Sequence, residues 1–516
     1  MNILFVSQSG YLQMYYLFEK FFRDRISVKQ TGYYISNIAN YQRFLSQKPS
    51  QWPKESICLN EWDILNAAKE EKLEIKDDEI EEIEDILADP TLWNVIVCDR
   101  RIFYGPKSVF TQDYKPRYTH DEMKKIVVVA YRKIKEHIEK VKPDFIISFL
   151  CVTFGEYLYY LFAKRRGIKY FNIHDTKIGN YFTATNHVYR PESEIKECYE
   201  KYKYSDFSDD IQEEVENYMK KFSHGRVTYD GQDYVHEKKK LKPFSFGSLA
   251  RVGKSFVNKK ITQFKNPQIL QDNQPDPFLV SLYNDFIKPL RFYKAFNKIK
   301  HHFISFDQMD NMKFAFYPLH LEPEMSVLVW GRPYLNQIEL IRMIAISLPF
   351  NWKLVVKDHP KNPFYRKSNF YKKLLEIPNV LFVEHDMPTN EIIKRSQMVI
   401  TLCGFVGFEA LCLKKPAIAL AGCIYEYMPK SMFRKVDDMR ELAEEIKDLL
   451  DHYKFDEEAI KKFAASVIKE SFSFEWYSLG KKIRNYFESS IDDFPEKKGE
   501  EKQFRNFVDF ILKRLN

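Results

Sequence analysis

The chain has 516 residues, length enough for two or three domains, each with its own apolar core. Its 80 Lys and Arg against 72 Asp and Glu leave +8, too dilute an excess over so large a surface to argue for nucleic acid, and no nucleic-acid partner is expected. Seven cysteines form no CxxC pair, which excludes a Cys-rich metal module and makes a reducing, cytoplasmic compartment the expectation.

The chain opens with "ILFVS", an apolar run that reads as a buried parallel strand, then a polar turn and the amphipathic "YLQMYYLFEKFFRD". "WNVIVCDRR" reads as a strand ending in charge. "DFIISFL" reads as another, followed by the helical "GEYLYYLFAKRRG" with glycine at its end. The stretch from Phe145 is the nearest approach to a membrane span, but Gly155 and Glu156 interrupt it, so no transmembrane helix is expected. "IKYFNIH" is a further strand, ending at His174 and Asp175. Strands alternating with helices at this spacing predict a doubly wound parallel sheet, assigned to residues 1–191.

Between 192 and 308 the pattern changes to a charged helix, "SDFSDDIQEEVENYMKKF", and a basic, Phe-interleaved stretch over 238–265. This region reads as an insertion and connector. The α/β alternation resumes over 309–453. "KFAFYPLH", "WKLVVKDHP", "NVLFVEHD", "QMVITLCG" and "PAIALAG" are the strands, and Thr389 is the expected N-cap of the "TNEIIKRS" helix. Residues 454–516 read as helices. Two doubly wound, Rossmann-like α/β domains facing a cleft are the expected fold, which resembles the plan of the GT-B glycosyltransferases and their relatives.

Two loops at the ends of predicted strands carry the chemistry, because ligands of open α/β sheets bind outside the carboxyl ends of the strands. In "KLVVKDHPKNPF", Lys357 adds charge, His359 can donate a ring N–H to a phosphate oxygen, and Pro360 ends the pairing. In "TLCGFVGFEALCLKK", a strand runs into Thr401 and Cys403, Gly404 allows a tight turn, and a helix opens near Phe405. The free N–H groups at that helix start suit a nucleotide phosphate, with Glu409 one turn inside to reach a sugar or ribose hydroxyl. "LHLEPE" places His320, Glu322 and Glu324 after a strand, where they either line the cleft or cap the next helix.

"FAFYPLHLEPEMS", "QIELIRMIAISLP", "VVKDHP" and "GFVGFEALCLKKPAIAL", over residues 310–430, together resemble the capsular polysaccharide biosynthesis glycosyltransferases, which include β-Kdo transferases using CMP-activated sugar. The resemblance implies that His359, Pro360, Thr401 and Gly404 hold the donor's phosphate, and it favours a cleft role for "LHLEPE". Cys403 and Phe405 stand where many relatives have Ser or Thr, so hydroxyl contacts to phosphate are lost there.

The N-terminal half matches less clearly. A carboxylate facing the cleft could serve as general base for an acceptor hydroxyl, with Asp175 the first choice for its polar surroundings, then Glu156 and Asp99. Asp99, Arg100, His174 and Asn180 are the acceptor-side candidates. No Asp-x-Asp pair occurs, and neither a metal nor a cofactor is expected beyond the nucleotide-sugar substrate, CMP-linked by preference. The expected partners are that donor, a glycan or lipid-linked glycan acceptor, and an anionic membrane touched peripherally. The rival readings are a GT-B-like nucleotide-sugar 2-epimerase, a polyol-phosphate transferase, and a non-catalytic glycan-binding partner in a synthesis complex.

Overall fold

A computed structural model describes residues 1–7, 10–52, 56–70, 75–103, 118–223, 229, 250, 253–254, 256–258, 260–261, 264, 282, 286–322, 324–360 and 366–515. Two sheets organise them. The first contains β1 (Asn2–Ser7), β2 (Gln30–Ile35), β3 (Ser56–Asn60), β4 (Phe145–Phe149), β5 (Lys169–Asp175) and β6 (Tyr181–Thr185). The second contains β7 (Phe314–Pro318), β8 (Lys353–Lys357), β9 (Val380–Val383), β10 (Met398–Thr401), β11 (Ala417–Ala419) and β12 (Phe433–Lys435). The last strand, β13 (Phe472–Ser473), returns to the first sheet.

In the first sheet the order is β13-β6-β5-β4-β1-β2-β3, parallel from β3 to β5 and antiparallel at β6. In the second it is β12-β11-β10-β7-β8-β9, parallel throughout. Chain order reverses direction between β1 and β4 in one sheet and between β7 and β10 in the other. Loops leaving the strands on either side of such a reversal diverge to opposite faces and leave a crevice between them. The expected doubly wound, two-domain α/β architecture is therefore present.

Why these residues build these sheets is plain in the strand interiors. Leu354, Val355 and Val356 of β8 and Val399 and Ile400 of β10 are fully buried on both faces, as parallel strands covered by helices must be. One expected strand is a helix instead. Trp93–Val97 is helical, because Asp89 and Thr91 side chains accept the N–H groups of Thr91 and Trp93 and start a turn there. Val95 and Ile96 then bury against the His120–Val141 and Phe154–Arg166 helices. Thr389 is a second correction. Pro388 takes the N-cap position without a side-chain bond, and the Thr389 hydroxyl instead accepts from Lys357 Nζ at 2.7 Å.

The polypeptide crosses back after the second sheet. β13 pairs with β6, and the Trp476–Arg484 and Glu501–Leu515 helices pack on the Leu12–Arg23 helix. Trp476 is fully buried at the centre of this seam, stacked 4.4 Å from Phe149 and within 5.8 Å of both Tyr11 and Phe18. No helix among the described residues is long and apolar enough to cross a membrane.

If the returning segment is part of the first domain's core, Trp476→Ala should cost about 3–5 kcal/mol, the range for deleting a large buried aromatic side chain. Guanidinium unfolding of the full chain measures this. A loss below about 1 kcal/mol would show the seam to be peripheral.

Candidate functional site

The crevice of the second sheet opens between the loops that follow β7 and β10. His320 leaves β7 and Thr401 ends β10, and they meet across the reversal, His320 Nε2 lying 3.2 Å from Thr401 Oγ1. Gly404 N–H donates to the same hydroxyl at 3.1 Å. A Cβ at Gly404 would sit 2.9 Å from Thr401 Oγ1 and 3.2 Å from His320 Cε1, so the turn needs glycine for its close approach. Tyr425 O–H donates to the Gly404 carbonyl at 2.6 Å and fixes the turn from behind. Among the described residues, the backbone N–H groups of Phe405 and Val406 have no hydrogen-bond acceptor.

His320 is held from below by a buried polar cluster. Its N–H donates to Gln337 Oε1 at 2.9 Å, and its carbonyl accepts from Gln337 Nε2 and from Arg366 Nη2. Arg366 also donates to Asp358 Oδ1 at 2.9 Å and lies 3.5 Å from Glu322. Tyr371 O–H donates to the other Asp358 oxygen at 2.5 Å. Burial, reinforced by the Arg366 charge, lowers the His320 pKa to about 4, so the ring is neutral at physiological pH. Burial raises Glu322 to about 7 against the opposing pull of Arg366.

Of the "LHLEPE" residues, then, Glu322 does not line the cleft. It is buried and bonded to Gln337 and belongs to the floor. Glu324 is exposed, and lies within electrostatic reach of Lys177 and Tyr477 of the first domain and of Cys403.

The "KDHP" loop divides in the same way. Lys357 is buried, its ammonium donating to Met387 O at 2.6 Å and to Thr389, so it tethers the start of the Thr389–Arg395 helix that follows β9. Burial lowers Lys357 to about 8, opposed by Glu409 and Asp386, and burial raises Glu409 to about 7, opposed by Lys357. His359 is half-buried with its N–H donating to Asp358 Oδ1 at 2.9 Å, and Pro360 is exposed. Cys403 is buried, its thiol contacts Ser326 O at 3.4 Å, and burial lifts its pKa to about 12. Phe405 packs on Phe408 at 5.1 Å between ring centres.

On the first domain's side the candidates separate sharply. Asp99 is fully buried in a cluster with Arg101 and Glu61 and also accepts from Phe154 N–H, so it faces no acceptor. Arg100 is exposed on the short helical turn after it, away from any strand end. Glu156 is fully buried, and its carboxylate closes a capping box with Thr153 while accepting from Val152 and Thr153 N–H groups. Such a carboxylate cannot reach an acceptor hydroxyl. His174 is fully buried 3.5 Å from Glu192, and burial lowers its pKa. Asn180 lends its carbonyl to Phe474 N–H.

Asp175 is mostly enclosed. It bonds to Lys177 and accepts from Tyr477 O–H at 3.3 Å, and its backbone carbonyl accepts from Arg190 at 2.9 Å. Burial would raise its pKa, but Lys177 and Arg190 outweigh that and hold it below the usual carboxylate value. An ion-paired carboxylate of this kind is a poor proton acceptor at neutral pH, which corrects its choice as general base.

The two sides meet through residues that sequence patterns did not mark. Arg190 lies 4.6 Å over the Trp330 ring, Trp330 Nε1–H donates to Val188 O at 3.0 Å, and Arg332 bonds to Asn94. A groove of about 310 Å³ opens beside the β5–β6 turn, lined by Gly179, Tyr181, Asp210, Glu213, Glu214 and Lys221. Glu384, His385 and Asp386, after β9, offer ligand atoms within 4.8 Å of one another, an arrangement that exposed acidic turns often show without an ion.

Residues 288–448 match the capsule polysaccharide biosynthesis protein family, a span that contains all four resembling motifs. No curated protein matches the chain. Among solved structures, similar chains include the KpsC beta Kdo 2,7 transferase of Thermosulfurimonas dismutans, at 12% identity and TM-score 0.33 over 68% of this chain and 88% of that one. Another is the UDP-GlcNAc 2-epimerase of Methanocaldococcus jannaschii, at 11% identity and TM-score 0.24 over 90% and 97%. Likenesses this distant do not bear on chemistry.

The raised pKa of Glu322 makes a stability prediction. A carboxyl that is harder to ionise folded than unfolded contributes its stability at low pH and loses it as pH rises from the unfolded value toward about 7. Glu322→Gln, which keeps an acceptor for Gln337, should therefore gain stability relative to the parent across that window and level off above it. Thermal melts from pH 4.5 to 8 test this, and a difference independent of pH would refute it.

Proposed function

We propose that the protein, whose residues 288–448 match the capsule polysaccharide biosynthesis protein family, is a glycosyltransferase of surface-polysaccharide assembly. It moves a sugar from a nucleotide-activated donor, CMP-linked in the first instance, to a glycan or its lipid-linked precursor. The observation that supports this most is the meeting of His320, Thr401 and Gly404 at the chain reversal of the second sheet, with His359 at the next strand end. These groups are donors or neutral polar atoms beside unbonded backbone N–H groups, a setting for a phosphate rather than for a cation. If the His320 ring carries its proton on Nε2, Thr401 Oγ1 accepts from both His320 and Gly404 and keeps its own proton for the ligand.

In the transfer, the acceptor oxygen attacks the anomeric carbon while the bond to the nucleotide phosphate breaks and its electron pair leaves with the phosphate. His359 and the N–H groups of Phe405 and Val406 stabilise that leaving charge. The acceptor proton goes to Glu324, exposed at the end of the β7 loop and near Lys177 and Tyr477 across the cleft. Glu409 receives a ribose or sugar hydroxyl. The groove beside the β5–β6 turn, with its carboxylates and Tyr181, accommodates the acceptor glycan through hydroxyl hydrogen bonds.

Thermal shift against CMP-, UDP-, GDP- and CDP-activated sugars should give one class of nucleotide that stabilises the chain. His359→Ala should then lower kcat and kcat/KM together by about 10–100-fold, the equivalent of a lost phosphate hydrogen bond worth 1–3 kcal/mol. Full turnover in the folded variant would remove His359 from the site. A chain stabilised by no nucleotide would argue for the non-catalytic glycan-binding role.

Glu324→Gln separates proton transfer from binding. Nucleotide stabilisation should be retained while transfer falls by about 10²–10⁴-fold, the usual contribution of a positioned base. Unchanged transfer would eliminate Glu324 as the base, and loss of nucleotide binding would assign it to the donor instead.

A further inference from the structure

The Lys288–Ile299 helix packs one face on the second domain through Ala295, Ile299 and the partly buried Phe292 and Phe296. Its outward face is not polar. Ile287, Leu290 and Tyr293 are 37%, 62% and 39% exposed and follow one another at three-residue spacing, which aligns them on one side of the helix. Cations flank this row. Residues 288–305 contain Lys288, Arg291, Lys294, Lys298 and Lys300 and no Asp or Glu. The Ser368–Leu375 helix packs against the first and adds the exposed Lys372 and Lys373. The acids of the adjoining elements, Glu376, Glu384 and Asp386, follow the end of that helix and of β9.

Single exposed apolar residues are ordinary on a protein surface, but an aligned row edged by cations is the pattern of a helix that lies in a membrane interface. Aliphatic Ile287 and Leu290 gain nothing from a phosphodiester backbone, whereas the headgroup–acyl boundary takes up both the apolar row and the lysines, whose stems extend outward to anionic headgroups. The expected membrane-contacting stretch over 238–265 lies largely outside the described residues, Lys238, Lys239, Lys240, Lys242, Phe244 and Phe246 included. Of its described residues, Phe256, Val257, Ile261 and Phe264 are exposed.

We infer that the face made by the Lys288–Ile299 and Ser368–Leu375 helices docks on an anionic lipid bilayer, with Ile287, Leu290 and Tyr293 entering the interface. The full chain should co-sediment with phosphatidylglycerol-containing vesicles and not with pure phosphatidylcholine vesicles. Each interfacial cation contributes about fivefold to partitioning, so Arg291→Gln, Lys294→Gln and Lys298→Gln together should weaken it roughly a hundredfold. Leu290→Ser with Tyr293→Ser should abolish the fraction that stays bound at high salt, because the apolar term is not screened. Lys133→Gln with Lys140→Gln, on the first domain, should change nothing, and melting curves confirm that each variant is folded. Binding of the parent that survives the triple charge change would place the lipid contact elsewhere and overturn the assignment. So would absence of binding to anionic vesicles, or equal retention on single-stranded DNA, which would mark a general polyanion surface.

Discussion

Leu328 and Val329 belong to the chain between β7 and β8, yet they are buried in the core beneath the first sheet. That burial ties the two domains at the position where it matters, because the same loop carries His320, Glu322 and Glu324 a few residues earlier. Val327, in contrast, is buried in the second domain's core. One short helix, Ser326–Trp330, thus has side chains in both cores, and Trp330 extends the lock through Val188 and Arg190. At about 1.5–3 kcal/mol for each fully buried aliphatic side chain, this contact is strong enough to hold the strand ends of both sheets beside one cleft. The loop is therefore an interdomain lock and part of the cleft floor at once.

The chemistry of the site follows from how its charges are confined. Arg366, Asp358 and Glu322 are buried together, and Arg366 fixes the His320 backbone in place. Lys357 and Glu409 face one another with pKa values brought to about 8 and about 7. An anion bound beside them would favour the protonated states of both, so its binding would be accompanied by proton uptake. Across the cleft, Asp175, Lys177 and Arg190 form a compact ion-paired group in which Lys177 and Arg190 hold the Asp175 carboxyl below its usual value.

The second sheet was legible because its strands are continuous apolar runs bounded by Pro, Gly and charge, and because its motifs sit at strand ends. Thr401 and Gly404 sit at a strand end for that reason, and His320, which the sequence leaves between cleft and helix cap, meets them there. What misled was local appearance without partner information. "WNVIV" has strand-like residues, but the Asp89 and Thr91 side chains start a helix before it. Asp99, Glu156 and Asp175 are all acids in polar-looking contexts, and only their partners show that Arg101, a capping box and Lys177 respectively occupy them. Strands β2, β3 and β12 have mixed composition, and β6 and β13 are short antiparallel additions, so hydrophobic run length did not reveal them. The Leu328–Trp330 lock carries no periodic signal at all, since its meaning lies in a contact 142 residues distant between Trp330 and Val188.

The crossing back of residues 472–511 onto the first sheet has a consequence for biosynthesis. As a ribosome delivers the chain, the second domain's core closes once the helices that run to Ile468 have emerged, and the first sheet's aromatic seam still waits for Trp476 and Phe507. Phe5, Tyr15, Phe18 and Phe22 are synthesised first and are covered last. At about 5–20 residues per second, the interval between Phe18 and Phe507 is roughly 25–100 s during which an apolar helix face lacks its partner. That nascent surface is a natural target for chaperones, and the protein's first domain matures after its second.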